Sequence, residues 1–294
     1  MRLGIWSFVL LFFVLSQIYA AGETALNFLR IDASARGAAL GSSSVADESE
    51  DFVFYNPACL TNLERKKVSL MHISLYADIN YESGIVFYPY KKFNFSFDFN
   101  YLHTSAPRTI IDLTQPYEFE KIGKYKFEDR LIGFGISPRK GIWGVKLKYI
   151  DERIEEEKAK GTAFDLGILI REEKFLFGIS LLNIGPPVEY IKKKEELPRT
   201  ISVGGKFLIK WTGIFGSFKM YPDRKTSFHT GVEISYRKIA FLRAGFKKVC
   251  EWDDDFSPFT FGAGLKLGNF GFDWAFIPSQ RLGDSQEFSL WFFF

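Results

Sequence analysis

The stretch FNFSFDFNY, residues 93–101, decides how this chain is built. Phe93, Phe95, Phe97, Phe99 and Tyr101 alternate with Asn94, Ser96, Asp98 and Asn100 without a slip. A period of two is the repeat of a β-strand, whose successive side chains point to opposite faces. Five large rings on one face can line a soluble core, or they can face a solvent that is not water.

Composition narrows the choice. Of 294 residues, 47% are hydrophobic, 18% aromatic and 33 are Phe, yet the mean hydropathy is near zero. Beyond residue 20 no run approaches the ~18 apolar residues of a transmembrane helix. The apolar residues are dispersed by alternation, as in a membrane β-barrel, although a soluble sandwich alternates too. A net charge of +3 with Lys and Glu interspersed gives no pointer to nucleic acid.

The first residues predict the compartment. Met1-Arg2 is followed by an apolar run from Leu3 to Leu15 and by Ser16-Gln17-Ile18-Tyr19-Ala20. This is the pattern of a signal peptide cleaved after Ala20. A run of about 13 apolar residues is too short for a membrane anchor. Residues 1–20 are therefore set apart, and the mature chain is the one to fold. Cys59 and Cys250 lie far apart with no metal-ligand spacing around either, so both read as unpaired thiols.

From residue 67 onward strand character recurs. Strands are predicted at 67–76, 81–90, 93–103, 128–138, 141–151, 161–171 and 174–184. The series continues at 200–209, 211–221, 227–237, 239–248, 257–267, 269–278 and 286–294. That is fourteen strands, an even number, each with room for the ~10 residues a tilted membrane strand needs. Every second connection is tight, at 91–92, 139–141, 172–173, 210, 238 and 268–269. The alternate ones include longer stretches at 104–127, 152–160, 185–199, 249–256 and 279–285. Short turns on one side and longer loops on the other are the habit of outer-membrane barrels.

The faces separate in the same way. Phe259, Phe261, Ala263, Leu265 and Leu267 share one side of a strand, and Phe270, Phe272, Trp274 and Phe276 one side of the next. Gly262, Gly264, Lys266, Gly271 and Asp273 lie opposite. Val145, Leu147 and Tyr149 likewise stand against Lys146 and Lys148. With large rings facing acyl chains, the small and charged residues fill a crowded lumen. The expected lumen-facing charges are Asp98, Lys146, Lys148, Asp165, Glu233, Lys266 and Asp273. The last strand ends in Phe288, Leu290, Phe292 and Phe294 at period two. A bare apolar edge invites aggregation unless the barrel closes over it. A terminal aromatic on that strand is also the signal that the barrel assembly machinery reads.

Residues 21–66 differ from all of this. They are rich in Ala, Gly and Ser, lack alternation, and carry Asn56-Pro57-Ala58. Phe28, Leu29, Ile31, Phe52, Val53, Phe54 and Tyr55 need cover, which a hatch folded inside the barrel supplies. Arg36 in such a place needs acceptors for five donors, and Asp98, Asp165, Glu233 and Asp273 are the candidates. Equally, these carboxylates can pair with Lys146, Lys148 and Lys266.

The segment FLRIDASARGAALGSSSVADESEDFVFYNPACL resembles the N-terminal signature of the PorV/PorQ family of outer-membrane proteins, within the FadL-like group of fourteen-stranded barrels with an N-terminal hatch. Phe28, Leu29, Ile31, Ala35, Arg36, Gly41, Ala46, Asp47, Asn56, Pro57, Ala58 and Leu60 match its pattern, with Gly37 beside Arg36 inside it. Cys59 stands where the family usually has Gly. Further likeness in GTAFDLGILI, FGISLLNIGPPVEY, LPRTISVGGKF and the last thirty-odd residues extends it over nearly the whole mature chain. The resemblance implies an all-β chain: a fourteen-stranded antiparallel transmembrane barrel at 67–294 and a hatch at 21–66. It implies residence in the outer membrane of a Gram-negative-type bacterium, in contact with its lipid.

An enzyme is not expected. His72, His103 and His229 have no recognisable Ser or Asp context, and neither a metal nor a cofactor is called for. Two roles remain. One is a conduit for small hydrophobic molecules gated by the hatch. The other is an accessory or shuttle protein of a type IX-like secretion system, whose client would be a secreted protein. The modest loops favour the conduit.

Overall fold

The computed structural model describes residues 24–75, 79–111, 119–190, 193–221, 224–249, 257–278 and 283–294. The export signal expected at 1–20 and the Cys250 thiol lie outside the described residues.

Fourteen strands close into one antiparallel barrel. The first seven are β1 (Lys67–Ser74), β2 (Asn80–Tyr90), β3 (Phe93–Ile111), β4 (Phe119–Pro138), β5 (Trp143–Ile154), β6 (Glu157–Arg171) and β7 (Phe175–Ile184). A separate hairpin, β8 (Val188–Tyr190) and β9 (Lys193–Glu195), interrupts the wall. The wall resumes with β10 (Thr200–Ile209), β11 (Thr212–Tyr221), β12 (Arg224–Tyr236) and β13 (Ala240–Val249). It ends with β14 (Phe259–Leu267), β15 (Phe270–Ile277) and β16 (Ser285–Phe293). Neighbours in sequence are neighbours in the ring, and β1 pairs with β16 from Lys67↔Phe293 to Ser74↔Gln286.

The barrel is apolar outside and polar within. Phe97, Leu147, Leu242 and Leu290 are 53%, 58%, 66% and 59% exposed, whereas Ser96, Asp98, Lys146, Arg243 and Ser289 are buried. An apolar surface wrapped around the whole ring far exceeds what a soluble monomer leaves in water. The rings of FNFSFDFNY lie on the outer face of the barrel. Tyr88, Tyr90, Trp143, Trp211 and Tyr236 cluster near the tight turns as an aromatic girdle at one rim.

The tight turns fall at 91–92, 139–142, 172–174, 210–211, 237–239 and 268–269. In several of them the left-handed residue is a lysine, with φ of 50° at Lys91, 56° at Lys140 and 54° at Lys210. Two of the longer connections are not loops. Thr104↔Phe127 through Ile111↔Phe119 extend the β3–β4 ladder into the stretch expected as a loop at 104–127. At 152–160 the strands continue to Ile154↔Glu157, leaving a two-residue turn. Backbone pairing carries the ladders on there through residues whose sequence no longer alternates apolar with polar.

Residues 24–66 contain 3-10 turns at Asn27–Arg30, Glu50–Phe54 and Pro57–Asn62, the short helix α1 (Ala35–Ala39), and no strand. They touch the inward faces of β13 to β16 on one side of the ring and β3 to β6 on the other. Phe52, Val53, Ala58 and Leu60 are fully buried. Each such large apolar side chain removed from water is worth about 1.5–3 kcal/mol. One cluster packs Ala35, Ala38 and Ala39 of α1 on Ala275 and Ile277, and another packs Val53, Leu60 and Leu63 on Ile85 and Phe87.

Candidate functional site

Arg36 projects from α1 toward the wall. Its Nε and Nη2 donate to the two Glu233 oxygens at 2.7 Å each, and Nη2 also reaches Asp47 Oδ2 at 3.2 Å. Around this fork the charges form a chain. Lys206 Nζ donates to Asp47 Oδ2 at 2.9 Å, and Arg243 donates to Glu233 at 2.7 Å and to Asp273 at 2.6 Å. Trp291 Nε1 closes the far end on Asp273 at 2.9 Å. Three cations thus meet three carboxylates, so the buried network is neutral, which a low-dielectric interior requires. Burial alone would raise the Asp47 carboxyl, but Arg36 and Lys206 hold it below the usual carboxylate range. The Arg36 guanidinium also lies 4.7 Å over the Phe52 ring.

Four carboxylates were open to Arg36 by sequence, and Glu233 is its partner in the wall. Asp98 and Asp165 serve Lys146 at 2.9 Å and Lys148 at 2.7 Å. Asp98 reaches past β4 to do so because Gly133 has no Cβ to stand in the way. Lys266 sits on the same inward side of β14 but lies over Trp291 and Phe293, 5.9 and 5.6 Å from their centroids, not against a carboxylate among the described contacts. Arg243 and Lys206, which complete the network, escaped sequence reading. Alternation in FLRAG and GGKFL placed them inward, had those strands been resolved into faces.

The rest of the motif is used to lay backbone on the wall. Asn56 is extended at φ −157°, as the following Pro57 demands, and caps the turn by accepting from Ala58 N at 3.0 Å. Its Nδ2 donates to Val45 O at 2.8 Å and Ile168 O at 2.9 Å. Gly144 and Gly167 are cross-strand partners on β5 and β6, and a Cβ on either would collide with this Asn-Pro corner. Gly178 with Gly204, and Gly231 with Gly245, similarly receive Val45 and Leu40-Gly41. The inward glycines therefore form a track for the segment. Gly37 leaves room for the Tyr55 ring, and Gly41 turns the chain out of α1 at φ 64°. Cys59, free and buried, takes no left-handed conformation, so a glycine is not needed there.

Further anchors tie both ends. Lys67 Nζ binds Asp51 at 2.6 Å and Glu50 at 2.9 Å, and Asn94 Nδ2 donates to Leu60 O at 2.6 Å. His229, buried beside Ser227, bonds Gly41 O at 2.6 Å and Ser227 Oγ at 2.7 Å. One ring nitrogen thus joins wall and segment, while the other bonds within β12. On β16, Leu290 and Phe294 are exposed outward and Phe288 nearly so, and Phe294 N donates to Lys66 O at 3.0 Å across the closing seam.

Above the packed segment is a cavity of about 600 Å³. Leu26 and Phe28 form its floor and Leu75, Leu102, Phe127 and Ile154 part of its wall. Leu75 and Ile154 lie at the ends of β1 and β5 opposite the tight turns, and Leu102 and Phe127 lie midway along β3 and β4 beyond the turn-side halves, so the cavity opens toward the mouth away from the tight turns.

The sequence matches no family model and no curated protein sequence. Its fold has counterparts among solved structures. The Pseudomonas putida toluene transporter TodX superposes with a TM-score of 0.64 at 10% identity, over 87% of this chain and 95% of that one. The CymD monoaromatic hydrocarbon channel superposes at 0.62 and 8% identity, over 92% and 99%. At such identities the likeness is one of fold: this chain is a closed fourteen-stranded barrel of the architecture those two proteins share.

Proposed function

We propose that this protein is an outer-membrane conduit for small hydrophobic molecules, of the PorV/PorQ type, made of a cleaved signal (1–20), a hatch (21–66) and a barrel (67–294). The observation that carries the proposal is the apolar cavity at the outer mouth, floored by Leu26 and Phe28 of the segment that fills the lumen below. A volume of about 600 Å³ suits a small organic molecule, since ligand pockets run from about 300 to 1,000 Å³. A hatch held by hydrogen bonds, ion pairs and glycine contacts, with no strand of its own, can shift without unpairing the wall. The two barrels of like fold, a toluene transporter and a monoaromatic hydrocarbon channel, support the same substrate class. The test is uptake of toluene into liposomes carrying the purified protein. Flux above that of protein-free vesicles is the expected result. Flux indistinguishable from them would overturn the conduit and bring forward the accessory role in protein secretion.

A further inference from the structure

One rung of the cavity wall is out of keeping with its apolar lining. Asp129 on β4 and Glu152 on β5 are direct cross-strand partners, both inward, and only 1% and 8% exposed. Side chains so placed have Cβ atoms about 4.5–5.5 Å apart, and like charges there repel. Every buried ion pair described above joins opposite charges. Asp129 Oδ1, by contrast, is buried with no hydrogen-bond partner.

Among the described residues, the neighbouring cations are engaged elsewhere. Arg130 binds Glu128 at 2.7 Å on the outward face, and Arg153 binds Asp151 at 2.8 Å. Lys148 serves Asp165 and Asn183, and Lys193 serves Glu195 at 3.0 Å. Because Glu128, Arg130, Asp151 and Arg153 face outward here, this rung lies beyond the lipid band. Among the described residues no group of three or more His, Cys, Asp or Glu could hold a metal ion. The cavity beside the pair is lined chiefly by Leu26, Phe28, Leu102, Phe127 and Ile154, with Glu195 as a third carboxylate in its wall, so it suits a cation that carries an apolar body.

We propose that the cavity is a binding site for an organic cation, a protonated amine on an aromatic or aliphatic body, with the ammonium seated between Asp129 and Glu152 and the body on Leu26, Phe28 and Phe127. The inference rests on the conduit reading for its biological sense and narrows the substrate class from neutral hydrocarbons to apolar amines. The ammonium supplies donors to the orphaned carboxylate oxygen and relieves the repulsion across the rung, while the body displaces water from the apolar wall.

The probes are 2-phenylethylamine and its neutral near-isostere 2-phenylethanol, titrated calorimetrically into the purified full-length protein. The amine is expected to bind about tenfold tighter or better, the scale of a charge-assisted hydrogen bond. In Asp129→Asn the ratio of the two affinities is expected to fall toward one, and Glu152→Gln should lower it too. Both variants remove a repulsion, and heat-modifiable gel mobility checks that they fold. Equal affinities in the unaltered protein, or an amine preference untouched by both variants, would overturn the proposal. So would binding of neither probe. Toluene flux is measured in parallel: flux without amine preference removes the cation site alone, whereas amine preference without flux removes the conduit alone.

Discussion

Arg36 is largely buried, and two carboxylates receive its Nε and Nη2 donors. Replacing it with Met strands Glu233 and Asp47 with less than their share of positive charge. Loss of one partner of a buried pair costs about 3–5 kcal/mol. Arg36→Met should therefore loosen residues 21–66, read as faster proteolysis of that segment in an otherwise heat-modifiable barrel. The double variant Arg36→Met/Glu233→Gln should recover much of the loss, and no recovery would contradict the pairing. The pH dependence follows from Asp47, whose carboxyl is held low in the folded protein. A depressed pKa gives stability that is complete above the ordinary value of about 3.9 and is lost as pH falls through the lower folded one. Protection of the segment should thus be flat from pH 8 to 5 and fall only below about 4. Sequence made the need of Arg36 for a carboxylate legible, since guanidinium chemistry sets it. The choice of Glu233 over Asp98 was not legible, because all four candidates share inward faces and only the path of the segment around the ring decides which is near.

The strands owe their legibility to lipid, which enforces alternation wherever it touches the wall. Phe97, Phe134 and Leu147 are successive partners on one mid-height rung, each outward and exposed. Leu147→Arg should cost about 2–4 kcal/mol in the denaturant unfolding of the membrane-inserted barrel, as lipid-facing charge does at the midplane. A near-zero cost would mean that this face is wet. The upper parts of β3 to β6 carry no such pattern in their sequence, and backbone pairing carries the ladder on there. The tight turns were legible from the spacing of the strands and not from turn residues, since lysines at φ of 50–57° occupy corners where Asn or Gly is the usual sign. At the C-terminal edge, removal of Phe294 should lower assembly into the outer membrane while export to the periplasm continues. Unchanged assembly would count against the terminal aromatic as a signal.

At the scale of the whole molecule, the sequence divides where its alternation begins, near residue 67, and residues before it carry apolar side chains without a periodic face. That contrast made a separate segment legible but could not show how it is held. The track of cross-strand glycines arises only when strands are set in register, so Gly144 and Gly167 look like ordinary small lumen residues until paired. Gly167→Val, which puts bulk where Asn56 lies, should displace the segment and raise conductance while the barrel still folds. The most direct test of the account compares the full chain with a barrel lacking residues 21–66 in a planar lipid bilayer, once both show heat-modifiable mobility. The intact protein should be nearly closed, and the deletion should conduct ions steadily. A folded deletion that remains as closed as the full chain would contradict the hatch, and with it the gated conduit.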